Sequence, residues 1–169
     1  MIDTHAHIYA SEFDHDRDEV VQRALAQGIE HILLPNIDLD SIEPMLKTEA
    51  AYPQVCRSMM GLHPCYVDSN VDQTLATIES WFEQHPFIAV GEIGIDLYWD
   101  KTFRAEQEKA FVTQLNWAKQ RQLPVVIHTR DSIEETLTLL AQEQDGSLRG
   151  VFHCFGGSLA QAQAINGLG

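Results

Sequence analysis

PVVIHTRD, residues 124–131, sets three consecutive β-branched residues, Val125, Val126 and Ile127, between a proline and a histidine. A run with no polar face is the pattern of a strand buried on both sides, as in a parallel sheet covered by helices. Helical periodicity flanks it, over residues 104–122 before and 132–142 after. Working outward, similar short apolar runs occupy residues 2–4, 31–34, 56–61, 87–92 and 150–153, and further helical stretches occupy 16–26, 41–51, 72–84 and 158–166. Gly28 follows the first helix, and Pro53, Pro86 and Pro124 close the next three. Strand and helix therefore alternate six times, predicting an α/β fold with a parallel sheet. Pattern alone leaves a doubly wound sheet and a (β/α)8 barrel both open. No linker or low-complexity stretch interrupts residues 1–169, so a single domain is expected. A closed barrel takes eight strands and about 250 residues, so a barrel reading makes this chain incomplete, lacking its last two strands.

Composition bounds the partners. With 25 acidic and 11 basic residues the formal charge is -14, which repels polyanions at long range and disfavours a broad duplex-DNA surface. A strand end or small phosphodiester remains compatible, because bound metal supplies positive charge locally. No basic and apolar leader opens the chain, and no apolar run approaches a membrane span, so a cytoplasmic protein without a membrane partner is expected. Three scattered cysteines, Cys56, Cys65 and Cys154, fit reduced thiols.

In barrels and open α/β sheets alike, chemistry gathers at the C-terminal ends of the strands. His5 and His7 of DTHAH follow the first strand, His63 of GLHP the third, and Glu92 of GEIGID the fourth; His128 follows the fifth and His153 of FHCF the sixth. Five of the eight histidines thus fall on one rim, while His15, His31 and His85 read as surface or capping residues. Each rim histidine alone could be structural, but several imidazoles converging on a carboxylate waste hydrogen bonds unless a cation satisfies them. The N and O donor set suits Zn, Mn, Fe, Ni or Mg. A carboxylate such as Glu92 can bridge two ions about 3.5–4 Å apart, the arrangement used in phosphodiester hydrolysis, so two ions are expected.

Around this set, Asp3 and Asp96 could each orient an imidazole or bond nearby backbone. Arg130 could clamp a phosphate oxygen or pair with Asp131. Tyr98 and Trp99 could stack on a base or pack under their loop.

DTHAH, GLHP, GEIGIDLYWD, PVVIHTRD and FHCFGG, in this order and over residues 2–160, resemble the TatD family of metal-dependent deoxyribonucleases within the amidohydrolase-like barrel superfamily. The resemblance implies a (β/α)8 barrel, with about six β/α units in this chain. It also implies hydrolysis of phosphodiester bonds in DNA strand ends, as a 3'-5' exonuclease on single strands, by metal-activated water with Mg, Mn or Zn. It makes His5 and His7 the first ligand pair, Glu92 the bridging and catalytic carboxylate, and His128 and His153 the remaining ligands, with His63 and Arg130 near the scissile phosphate. TatD-like chains continue through a seventh and eighth strand carrying a Thr-Asp motif that is not found here, so exposed sheet edges and self-association are expected.

Two other readings compete. An amidohydrolase acting on a C–N or lactone bond shares the HxH signature, but that class often places a bridging lysine where this chain has Glu92. The other alternative is a metal-binding fragment without turnover.

Overall fold

Two β-branched or aliphatic runs meet side by side wherever a helix breaker turns the chain back, and the result is a sheet whose strand order is the chain order. The computed structural model describes residues 1–168. Its strands are β1 (Ile2–Asp3), β2 (His31–Pro35), β3 (Cys56–Met59), β4 (Val90–Asp96), β5 (Val125–Arg130) and β6 (Gly150–Phe152). The helices are α1 (Arg17–Ala26), α2 (Leu39–Ala51), α3 (Val71–Trp81), α4 (Arg104–Arg121), α5 (Ile133–Glu143) and α6 (Leu159–Asn166). β1, β2 and β3 pair in parallel in that order, as do β4, β5 and β6. A parallel bridge from Met60 to Val90 joins the two halves. A doubly wound sheet reverses its strand order at a switch point; this one does not, and the six units are those of a TIM-type barrel.

The fourth and fifth strands depart from their expected bounds. β4 starts at Val90, not at residue 87, and runs on to Asp96; β5 continues to Arg130. Gly94 and Asp96 lie beyond the expected strand end at residue 92, yet Gly94 pairs with His128 and Asp96 with Arg130. A methyl group built on Gly94 would overlap the His128 carbonyl, so glycine here permits close strand approach. Glu92 consequently lies inside a fully buried strand instead of at its tip.

Two apolar clusters use opposite faces of the sheet. Ile32, Leu34, Ile93, Ile95, Val125 and Ile127 join the larger core with Phe111, Leu115 and Trp117 of α4. Met59, Ala89 and Val126, with Leu33 and Ile88 against them, form the smaller cluster on the inner face. Since side chains alternate along a strand, His128 and Arg130 follow Val126 onto that inner face. α2 is fixed by a capping box in which Asp38 accepts from the Ser41 N–H at 2.8 Å and Ser41 Oγ accepts from the Asp38 N–H at 3.0 Å.

Among the described residues, β1 and β6 each pair on one side only, and Ile2, Val151 and Leu159 near them are exposed. Among these residues, no helix is long and apolar enough to cross a membrane.

Candidate metal centre

Alternation along the extended chain after β1 turns His5 and His7 to the same side. Their Nε2 atoms lie 3.2 Å apart, and both face Glu92 Oε2, at 3.1 Å from His5 and 3.8 Å from His7. The other carboxylate oxygen faces a second pair: Glu92 Oε1 lies 3.2 Å from His128 Nδ1 and 3.8 Å from His63 Nε2. Glu92 is therefore shared by two groups able to hold a cation, His5 with His7 and His63 with His128. His153 belongs to neither group. Its ring stacks on that of His5, centroids 3.4 Å apart.

Sequence reading sets His153 among the ligands and His63 with the substrate. Within this structure His63 stands beside Glu92 and His128, whereas an open cleft of about 920 Å³ is lined by His5, His7, Glu92, His128 and His153, with Arg130 and Cys154 also on its wall. His15 is exposed at the α1 start beside Asp16, and His85 bonds Glu49 at 3.0 Å. His31 opens β2. All three stay outside the site.

The supporting carboxylates divide. Asp96 Oδ2 bonds His128 Nε2 at 2.9 Å, and its Oδ1 accepts from the N–H groups of Tyr98 and Trp99 at 3.0 and 3.3 Å, so Asp96 orients an imidazole as its first reading holds. Asp3 takes the other reading, since its Oδ1 accepts the backbone N–H of His5 at 3.2 Å. Arg130 makes no ion pair with Asp131; its guanidinium lies over the Tyr98 ring, 3.7 Å from the centroid, and 5.0 Å from that of Trp99.

Several residues that hold the site were not singled out in the sequence. Tyr9 donates its O–H to the Pro35 carbonyl at 2.6 Å, and His7 Nδ1 lies 2.8 Å from the Tyr9 phenol oxygen. With the phenol proton committed to Pro35, His7 must donate from Nδ1, which leaves the Nε2 lone pair facing Glu92 and His5. The 5, 7, 9 alternation was the available signal. Asn36 follows β2, the one strand to which no site residue was assigned. Its Nδ2 donates to the carbonyls of Gly61 at 2.8 Å and Asp38 at 2.9 Å, its Oδ1 accepts from Ser41, and its own carbonyl accepts the Glu92 N–H at 3.2 Å. From α4, Gln114 holds both backbone groups of Leu62 beside His63, and Gln107 Oε1 accepts the Asp96 N–H at 2.9 Å.

Electrostatics prepare the imidazoles as ligands, which must be deprotonated to bind metal. Burial pushes His63 down to about 4 and lowers His7 and His153, with the nearby charge of His5 adding to the effect on the last two. Burial alone would raise Glu92, but hydrogen bonds from His128 and His5 hold it well below the usual carboxylate range. His128 is the exception: burial opposes its charge, yet the bonds to Glu92 and Asp96 raise it above the ordinary imidazole value. A divalent cation fits this donor set. Imidazole nitrogens converge on both oxygens of one ionised carboxylate, and His5 Nδ1 is buried with no hydrogen-bond partner among the described residues.

Comparison with known proteins agrees with this geometry. The chain is 33% identical over 163 residues to the uncharacterized metal-dependent hydrolase YabD of Bacillus subtilis, covering 96% of this chain and 64% of that protein. It is 35% identical over 164 residues to the 3'-5' ssDNA/RNA exonuclease TatD of Salmonella typhimurium, covering 97% of this chain and 63% of the relative. The crystal structure of YjjV, a TatD homologue of Escherichia coli, superposes with a TM-score of 0.90 at 31% identity over 99% of this chain and 65% of that one. The chain thus spans less than two thirds of the length of these relatives. The model of the family described as TatD related DNase matches residues 2–169, and the chain belongs to that family.

Proposed function

We propose that this chain carries the metal-binding face of a phosphodiesterase that hydrolyses DNA from single-stranded ends, in the 3'-5' direction, with two divalent ions of the Mg, Mn or Zn type. The carrying observation is Glu92, whose two carboxylate oxygens each face a separate pair of imidazoles. His5 and His7 with Glu92 would hold one ion. Glu92 and His128, with His153 from the same cleft wall, would hold the other. When bound, such ions supply Lewis-acid activation of the phosphoryl group and of the attacking water.

The chain's own residues do the rest. Tyr9 fixes the His7 tautomer so that Nε2 offers a lone pair. Asp96 holds His128, and Glu92 stays ionised across the whole physiological range. Arg130, on the cleft wall, offers a guanidinium to phosphate oxygens, and His63 adds a neutral imidazole beside Glu92. The named activity of the Salmonella relative, on single-stranded DNA and RNA ends, supports the substrate class. The net charge of -14 agrees with a substrate grasped at its end instead of along a duplex.

A second arrangement of the second ion, with His63 in place of His153, is favoured by the close approach of His63, Glu92 and His128. Metal analysis of His63→Ala and His153→Ala separates the two: the variant that loses one equivalent names the ligand. For the reaction itself, metal-loaded protein is assayed on a 3'-labelled single-stranded oligonucleotide with Glu92→Gln as control. Cleavage by the parent chain and none by the variant supports the proposal. Bound metal with hydrolysis of an amide or lactone but no oligonucleotide cleavage would transfer the site to the amidohydrolase reading, and bound metal with no turnover would leave a non-catalytic metal-binding chain.

A further inference from the structure

Tyr98 and Trp99 leave β4 on the loop that Asp96 ties down, and both remain exposed: Trp99 keeps 69% of its surface in solvent and Tyr98 keeps 50%. Large aromatic side chains at this exposure lose apolar burial unless something else covers them. The two rings stand edge to face, centroids 4.8 Å apart at 87°, so their faces point in different directions. Arg130 lies over both rings, 3.7 Å from the Tyr98 centroid and 5.0 Å from that of Trp99, so it covers Tyr98 the more closely. The pair is also tied to the metal centre, because the carboxylate that accepts from the Tyr98 and Trp99 N–H groups bonds His128 through its other oxygen. Arg130 itself lines the cleft that holds His5, His7, Glu92 and His128.

We propose that Trp99, with Arg130 held on Tyr98, forms a subsite for an unpaired nucleobase next to the scissile phosphate. Trp99 stacks on the base and the Arg130 guanidinium takes a phosphate oxygen of the same strand. The inference rests on the phosphodiesterase reading above and adds to it the group that selects unpaired strands. A base inside a duplex has both faces covered by its neighbours, whereas a base at a frayed or single-stranded end offers a free face to an indole. Stacking is indifferent to base identity and to the sugar, so the same surface serves single-stranded DNA and RNA. It also fits the charge balance, since an aromatic contact adds affinity that the net charge of -14 does not oppose.

Two probes test it on the metal-loaded chain: a 5'-labelled oligodeoxythymidylate and an abasic oligomer of the same length and charge, each followed by fluorescence anisotropy and by cleavage. The parent chain is expected to bind the thymidylate about tenfold more tightly than the abasic strand, the scale of one stacked base. Trp99→Ala should remove that preference, leaving abasic binding and metal content unchanged, and Trp99→Phe should restore most of it. Equal loss on both probes, or an unchanged preference in Trp99→Ala, would overturn the subsite. Cleavage of both probes with equal affinity by the parent chain would overturn the subsite alone and leave the phosphodiesterase reading standing. Failure of the loaded parent chain to bind or cleave either probe overturns both.

Discussion

The Tyr9 phenol stands between His7 and the Pro35 carbonyl, accepting from the imidazole at 2.8 Å and donating to the backbone at 2.6 Å. Through that relay the end of β2 decides which nitrogen of His7 carries the proton.

Tyr9→Phe breaks the relay without opening a large cavity. The His7 ring is then free to place its proton on either nitrogen, and metal affinity is expected to fall about tenfold, the lower end for removal of a partner behind a ligand. Calorimetric titration with zinc or manganese measures it. An unchanged affinity would show that the relay does not set the tautomer.

Gly94→Ala places a methyl group against the His128 carbonyl between two paired strands. β4 is fully buried, so the clash cannot be relieved toward solvent. A loss of about 2–4 kcal/mol is expected, with a lower Tm and reduced metal content together. A variant of unchanged Tm would mean that the strands separate freely at this point.

Asn36→Ala removes a fully buried amide that bonds Gly61, Asp38 and Ser41, the Gly61 bond being buried and the other two part-buried. Stranded buried acceptors cost about 1–3 kcal/mol. Urea denaturation should show that loss, and restored stability in Asn36→Asp would argue that the amide donor is not what holds Gly61.

His128 sets a pH dependence. Its folded pKa is raised by Glu92 and Asp96 against the effect of burial, so its protonated form stabilises the metal-free fold below the unfolded value. That contribution is lost as pH rises through the folded value. An ion bound at His128 must displace this proton, and affinity should therefore climb with pH across the neutral range. Titration in two buffers of different ionisation enthalpy, at about pH 6.5 and about pH 8, should show more proton release at the lower pH. Identical release at both would place the His128 proton elsewhere.

Much of this arrangement was legible from residue pattern. Apolar runs such as residues 124–128 named the strands because a buried parallel strand has no polar face, and the histidines after them named the rim. The end of β4 was not legible: Gly94 is a loop residue by propensity and a strand residue only because β5 passes within contact of it. That hidden extension moved Glu92 from the rim into the sheet and put Asp96 at the strand end. Tyr9, Asn36, Gln107 and Gln114 act through hydrogen bonds to backbone groups distant in sequence, and no local spacing encodes such a partner. The Arg130 contact had two sequence readings, a phosphate clamp or a pair with Asp131; the structure shows a third, stacking on Tyr98.

In the proposed centre Glu92 serves two cations at once. Metal-to-protein stoichiometry by elemental analysis, after loading with manganese or zinc and removal of free ion, tests it on the parent chain and on Glu92→Gln. Two equivalents in the parent chain and fewer than one in the variant, with both proteins folded by circular dichroism, is the expected result. A parent chain that holds no ion, or a variant that keeps both, contradicts it.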